Sequence, residues 1–200
     1  MTTYLAGFSL GMSLILVIGS QNSFVLKQGL KKQHVFIVCF VCALSDGILI
    51  SLGVAGFGVF LERHPSIEIF ARYGGAIFLF LYALLSFKDS ITKNHALKLE
   101  ESSQKSVYKA VITCLAFTWL NPHVYLDTVI LLGSVSTKYQ PSQLNFALGA
   151  ILASFIFFFS LGYGARLLAP IFKNPKAWKI FDFSIGFIML TISYSLVNSP

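Results

Sequence analysis

Residues Phe117–Gly133 read FTWLNPHVYLDTVILLG, an apolar stretch of membrane-spanning length that carries a helix-breaking Asn121-Pro122 pair and a carboxylate, Asp127. A lipid-facing helix accommodates neither feature. Proline removes a backbone donor and crowds the preceding turn, and a carboxylate at bilayer depth costs about 2.5–3.5 kcal/mol on insertion scales. A transport site held between helices at mid-membrane uses both.

Composition identifies the solvent. Of the 200 residues 56% are hydrophobic and 12% charged, with a mean hydropathy of +0.74. A soluble domain carries roughly 25% charged residues, so this chain has too few to cover a water-facing surface. Its 20 phenylalanines suit a lipid-facing exterior. The formal net charge is +7, but the basic residues fall between apolar runs and form no clustered face. Nucleic acid is therefore not an expected partner, whereas anionic lipid is.

Six apolar runs are long enough to cross about 30 Å of hydrocarbon as helices. They lie near Tyr4–Leu26, His34–Leu61, Ile67–Phe87, Ala110–Val135, Gln143–Ala169 and Trp178–Val197. The expectation is an all-α integral membrane protein, one transporter domain over residues 1–200 with six transmembrane helices. The first run lacks a basic leader and a clear cleavage site, and reads as an uncleaved helix. Lys27, Lys31 and Lys32, then Lys88, Lys93, Lys98, Lys105 and Lys109, then Arg166, Lys173, Lys176 and Lys179 fall in the connections after helices 1, 3 and 5. The other side holds only Arg63, Arg72 and Lys138 of the 15 basic residues. The positive-inside rule then puts the odd connections in the cytoplasm and both termini outside the inner membrane.

The halves look related. Ser45, Ser51, Leu52 and Gly53 match Ser154, Ser160, Leu161 and Gly162 at one offset. Ile69, Phe70, Gly75, Ile77 and Leu79 match Ile180, Phe181, Gly186, Ile188 and Leu190 at nearly the same one. Three-helix units have odd parity. Repeats of about 1–87 and 110–200, joined by a cytoplasmic linker 88–109, would therefore sit inverted in the bilayer with a site where they meet.

Several residues are candidates for that site. Asn is a favoured helix N-cap and Pro a favoured first helical residue, so Asn121-Pro122 can start a half-helix whose free N–H groups suit a carboxylate. A simple proline kink is the structural alternative. Asp127 and Asp46 are ionisable groups inside apolar runs, and the face of Asp46 carries Cys39, Cys42, Ile50 and Gly53, mostly small residues that point it into the bundle. Each acid could bind or relay charge, or form a structural ion pair, with Arg72 or Arg166 as partner. Gly19-Ser20-Gln21-Asn22-Ser23 is a polar break in helix 1, whose Gln21 and Asn22 either meet substrate or brace helix 4. His123 adjoins the second break as a proton relay or a packing histidine. Gly7-x-x-x-Gly11 is a close-packing face. Cys39-x-x-Cys42 has a redox spacing, but both thiols lie in an apolar helix, and with Cys114 they read as small buried hydrophobes. No P-loop, zinc motif or serine-hydrolase signature is present, so no enzyme, cofactor or metal site is expected.

IGSQNSFVLKQGL (Ile18–Leu30), LSDGILI (Leu44–Ile50), ARYGGAIFLFLYALLSFK (Ala71–Lys88) and TWLNPHVYLDT (Thr118–Thr128) resemble the LysE superfamily of amino-acid exporters, and its lysine/arginine branch in particular. The resemblance covers essentially the whole chain, with TWLNPHVYLDT its specific part. It implies a secondary exporter of arginine, with lysine as a further substrate, driven by proton influx. It also implies functional roles for Asp46, Asn121, Pro122 and Asp127, with the Gly19–Asn22 break as their partner. One position departs: the family usually has Gly-Pro-Gln-Asn where this chain has Gly19-Ser20-Gln21-Asn22. The expected partners are a basic amino acid, protons and membrane lipid, with a homo-oligomer admitted. The rivals are an exporter of a neutral amino acid or a metal cation on the same scaffold, a thiol relay through Cys39 and Cys42, and a non-transporting membrane subunit.

Overall fold

A computed structural model of the chain describes residues 2–16, 19–92 and 106–198, and every regular element among them is helical. The chain opens with α1 (Thr2–Ile15) and α2 (Ser20–Lys31), which meet at 83°. The single helix expected over Tyr4–Leu26 is therefore two. The polar run is the physical reason. Gly19 takes an extended backbone as the N-cap of α2, and Asn22 Nδ2 donates 2.9 Å to the Ile15 carbonyl left over at the end of α1.

Helix α3 (Val35–Leu52) leads into α4 (Gly58–Arg63) through Gly53–Phe57, where Gly56 takes a positive φ of 91° that kinks the helix, and α5 (Pro65–Thr92) follows. Helix α6 (Val107–Trp119) then stops at Leu120–Asn121. The chain restarts as α7 (Pro122–Val124), a π-helical segment Tyr125–Leu131, and α8 (Leu132–Ser136). Helices α9 (Gln143–Gly164) and α10 (Pro175–Asn198) complete the bundle. Of the expected linker 88–109, residues 93–105 lie outside the described residues, while its two ends extend α5 and begin α6.

Four described helical segments are long and apolar enough to cross a membrane: Val35–Leu61, Ile69–Thr92, Gln143–Leu168 and Pro175–Asn198. The bent α1–α2 pair counts as a fifth if taken as one span, and α6 is a shorter apolar helix. The first and fourth expected spans are interrupted at their polar residues, and the second is kinked at Gly56.

Helix α5 packs along α10, α1 along α9, and α3 also crosses α9. Small residues set these approaches. Side chains at Gly7 and Gly11 would strike the α9 backbone at Phe146 and Ala150, so the Gly7-x-x-x-Gly11 face does pack closely. Gly75 on α5 sits against the Leu120 carbonyl and so supports the second break.

One expectation about charge is corrected. Lys27 is expected in the connection after helix 1, but α2 continues to Lys31 and places Lys27 in the interior at 6% exposure. Its Nζ lies 2.7 Å from Asp182 Oδ1 on α10 and 4.0 Å from Asp89 Oδ2 on α5. A lysine cannot remain charged in an apolar interior without such partners.

Candidate functional site

The two helix breaks face one cavity of about 590 Å³. Helix α2 contributes Ser20, Gln21 and Asn22 from its first turn, where N–H groups have no intrahelical acceptor. The second break contributes Asn121, His123 and Val124. Asp46 comes from the middle of α3, and Asp127 and Thr128 from the π-helical segment. Thr191 and Ser195 of α10 complete the polar lining, and Leu14, Ile15, Phe158 and Ile192 the apolar part.

Each break is stitched in the same manner. Downstream of the first, the Asn22 side chain donates to the last turn of α1. Downstream of the second, the Tyr125 hydroxyl donates 2.7 Å to the Trp119 carbonyl of α6. Asn121 has the extended backbone of an N-cap, and its Oδ1 accepts from the His123 N–H at 3.2 Å; Pro122 follows, buried, as the first helical residue. Asn121-Pro122 therefore starts a helix, as its chemistry predicts, and does not merely kink one.

Asp46 is 4% exposed and accepts a 2.9 Å hydrogen bond at Oδ2 from the Ser154 hydroxyl on α9. Asp127 is half-buried, in a segment whose wider i→i+5 winding turns its side chain out of the register of a regular α-helix. Among the described residues neither acid forms an ion pair. The expected partner Arg72 instead lies over the Tyr73 ring at 5.3 Å, and Arg166 over the Tyr163 ring at 4.9 Å. Gln21 is 8% exposed and its side chain adjoins the Cys42 thiol, while its Nε2 makes no hydrogen bond to an oxygen or nitrogen acceptor among the described residues. A buried amide donor left open beside a cavity is costly unless something in the cavity accepts from it.

The cysteines lie behind the lining. Cys39 Sγ donates 3.1 Å to the Phe158 carbonyl, and Cys42 Sγ is 3.7 Å from Cys114 Sγ rather than beside Cys39. All three are 0% exposed. Among the described residues no group of three or more His, Cys, Asp and Glu side chains is placed to hold a metal ion.

Sequence reading missed three things. Ser154 appeared only as a repeat match, although its partner is Asp46. The α10 lining, Thr191 and Ser195, carries no local signal. Asp182 did carry one: it is an acid inside an apolar run, the criterion that singled out Asp46.

The sequence profile of the family described as LysE type translocator matches residues 12–199. The arginine exporter protein ArgO of Salmonella enteritidis is 40% identical over 197 residues, spanning 98% of this chain and 93% of that protein. ArgO of Salmonella gallinarum matches to the same extent. A Mycobacterium tuberculosis protein, named provisionally as an amino-acid transporter, is 40% identical over 190 residues, 94% of each chain. No solved structure matches the chain.

Proposed function

The chain belongs to the LysE type translocator family, and from that premise we propose that it exports basic L-amino acids, arginine foremost and lysine after it, across the cytoplasmic membrane in exchange for protons. It is a multi-pass membrane transporter rather than an enzyme. The arginine export named for its Salmonella relatives supports the choice of substrate.

The observation that carries the reading is the charge count of the cavity. Arginine brings one carboxylate and two cationic groups. The cavity brings two carboxylates, Asp46 and Asp127, and two helix starts, at Ser20 and at Pro122. The substrate carboxylate sits at the helix starts and takes the open Gln21 Nε2 donor. The ammonium and guanidinium then take the two acids. A neutral amino acid would leave one acid unmatched.

The architecture proposed with it is two inverted three-helix repeats. In each half an interrupted helix comes first, α1–α2 or α6–α8, followed by a middle and a last helix. The middle helices α3 and α9 contact each other, and so do the last helices α5 and α10. Counting each interrupted helix as one crossing makes six, with both termini outside. The halves then rock about the cavity between them.

Moving a unit cation out against an inside-negative potential costs about 2.3 kcal/mol per 100 mV, so net export needs coupling. One proton moving inward per substrate cancels the electrical part. Asp46 takes the coupling role, because it sits between the halves on α3 with Ser154 of α9 as its donor. It binds the substrate cation from the cytoplasmic side and a proton from the outside. Asp127 takes the second cationic group.

Purified protein in proteoliposomes tests this by radiolabelled arginine counterflow. The expected result is counterflow inhibited by lysine and not by leucine, with Asp46→Asn exchanging arginine only at a raised half-saturating concentration and not responding to a pH gradient. No arginine exchange by the wild type, or equal competition by leucine, sinks the substrate reading. A normal pH response in Asp46→Asn sinks the coupling role.

A further inference from the structure

Between the cavity and one end of the bundle lie two further layers that the binding reading does not use. Helix α2 carries one member of each layer at three-residue spacing: Gln21 at the cavity, then Phe24, then Lys27. Each step advances about 4.5 Å along the axis on one broad side of the helix.

The first layer is aromatic. Phe24, Phe78, Tyr82 and Phe117 come from α2, α5 and α6. The Phe117 ring centroid is 5.5 Å from Phe24, 5.0 Å from Phe78 and 5.0 Å from Tyr82. Phe117 is 1% exposed and lies four residues before the Asn121 break.

The second layer is the charge cluster. Lys27 Nζ is 2.7 Å from Asp182 Oδ1 and 4.0 Å from Asp89 Oδ2. Side-chain exposure is 8% for Lys27, 0% for Asp182 and 21% for Asp89. The same three helices also shape the cavity or its support: α2 through Gln21, α10 through Thr191 and Ser195, and α5 through Gly75 beneath Leu120. Beyond the cluster α2 ends at Lys31 and Lys32, and α10 begins at Lys176 and Lys179, which the positive-inside reading puts in the cytoplasm.

A buried ion pair confers little net stability over well-packed apolar residues of the same volume. What it offers instead is a contact that can be exchanged. Lys27 has two acids within reach on two different helices. It can part from Asp182 and keep Asp89, so the end of α2 can move without a bare cation being stranded in the interior. We propose that Lys27, Asp182 and Asp89 are the releasable bar of a cytoplasmic gate, that Phe24, Phe78, Tyr82 and Phe117 are its plug, and that the structure shows the gate closed. Lys27 and Asp182 are then positioning residues. They hold α2, and through it the Ser20–Asn22 turn, in the arrangement that faces outward. This rests on the export reading above for its direction of transport, but the gate itself is tested without substrate.

The test uses the full chain with Ser195→Cys, an exposed position lining the cavity, in right-side-out and inside-out vesicles. A membrane-impermeant thiol reagent is the probe, and the parent chain, whose three thiols are buried, is the blank. Three variants are added one at a time. Asp182→Asn loosens the bar and raises labelling from the cytoplasmic face about tenfold. The double variant Lys27→Met/Asp182→Leu replaces the bar by packing that does not release. It keeps wild-type yield and thermal midpoint, yet transports arginine at least about tenfold more slowly. Asp89→Asn, at the most exposed of the three positions, folds as the wild type does, slows transport and leaves cytoplasmic labelling low.

A purely structural pair predicts the opposite: a double variant that folds and transports at the wild-type rate. That result overturns the proposal. So does unchanged cytoplasmic labelling in Asp182→Asn. Should Asp182→Asn fail to fold, the double variant and Asp89→Asn decide, and wild-type transport by both overturns it. Failure of the wild-type chain to move arginine would sink the export reading and leave the labelling result standing.

Discussion

Replacing Ser154 with alanine isolates the contact that joins α9 to Asp46 of α3 at the cavity. The Ser154 hydroxyl is fully buried and donates 2.9 Å to Asp46 Oδ2, and Asp46 is itself 4% exposed, so water does not readily replace the lost donor. A hydrogen bond to a charged group contributes about 1.5–3 kcal/mol. In the exchange reading the cation displaces a proton from Asp46, so at 1.36 kcal/mol per factor of ten the loss of this donor to the carboxylate weakens cation binding by up to about tenfold to a hundredfold. Alanine nearly conserves the volume of serine, so the fold should persist. The assay is arginine counterflow over a concentration series, with yield and thermal midpoint as controls. The effect must also depend on Asp46. In an Asp46→Asn background the same Ser154→Ala change should alter the half-saturating concentration by less than about threefold, because the cycle removes the charge through which Ser154 acts. Folded Ser154→Ala protein with wild-type affinity would refute the assignment. So would an equally large effect in both backgrounds.

Asp127→Asn should raise the half-saturating concentration for arginine and lysine while sparing residual neutral-amino-acid flux, and equal losses for all substrates would argue against a direct contact. Asn121→Ala removes the N-cap of the second half-helix and should cost about 1 kcal/mol, read as roughly a fivefold loss of arginine affinity in counterflow. Gly7→Val should abolish folded protein on size-exclusion chromatography, because a side chain there strikes the Phe146 backbone, whereas Gly19→Ala, with nothing within 4 Å, should leave the yield unchanged. Cys39→Ser with Cys42→Ser should leave proton-driven transport intact, and loss of transport in folded protein would restore the thiol-relay rival.

Much of the cavity was legible in the sequence because its most telling members are local anomalies. Asn121-Pro122 and Gly19-Ser20-Gln21-Asn22 are expensive in lipid wherever they fall, and Asp46 and Asp127 stand out against apolar neighbours. The expectation that they share one site rests on the two related stretches of sequence meeting in the bilayer, and the packing brings them to one cavity. The chain's partner choices were not legible. Arg72 and Arg166 are the arginines expected beside the acids, but they lie over the Tyr73 and Tyr163 rings. Lys27 was read as a loop charge because the apolar run ends at Leu26, although the helix does not.

By itself the amino-acid order determined the solvent, the helical class, the two interruptions and the placement of the acids within apolar runs, since each follows from hydropathy and short-range backbone chemistry. Tertiary packing alone decided that Ser154 meets Asp46 and that Lys27 sits between Asp182 and Asp89. Helices that are apolar on every side have no periodicity to announce which face turns inward. Close contacts such as Gly7 on Phe146 and Gly75 on Leu120 set those rotations, and with them the partner that each polar group finds.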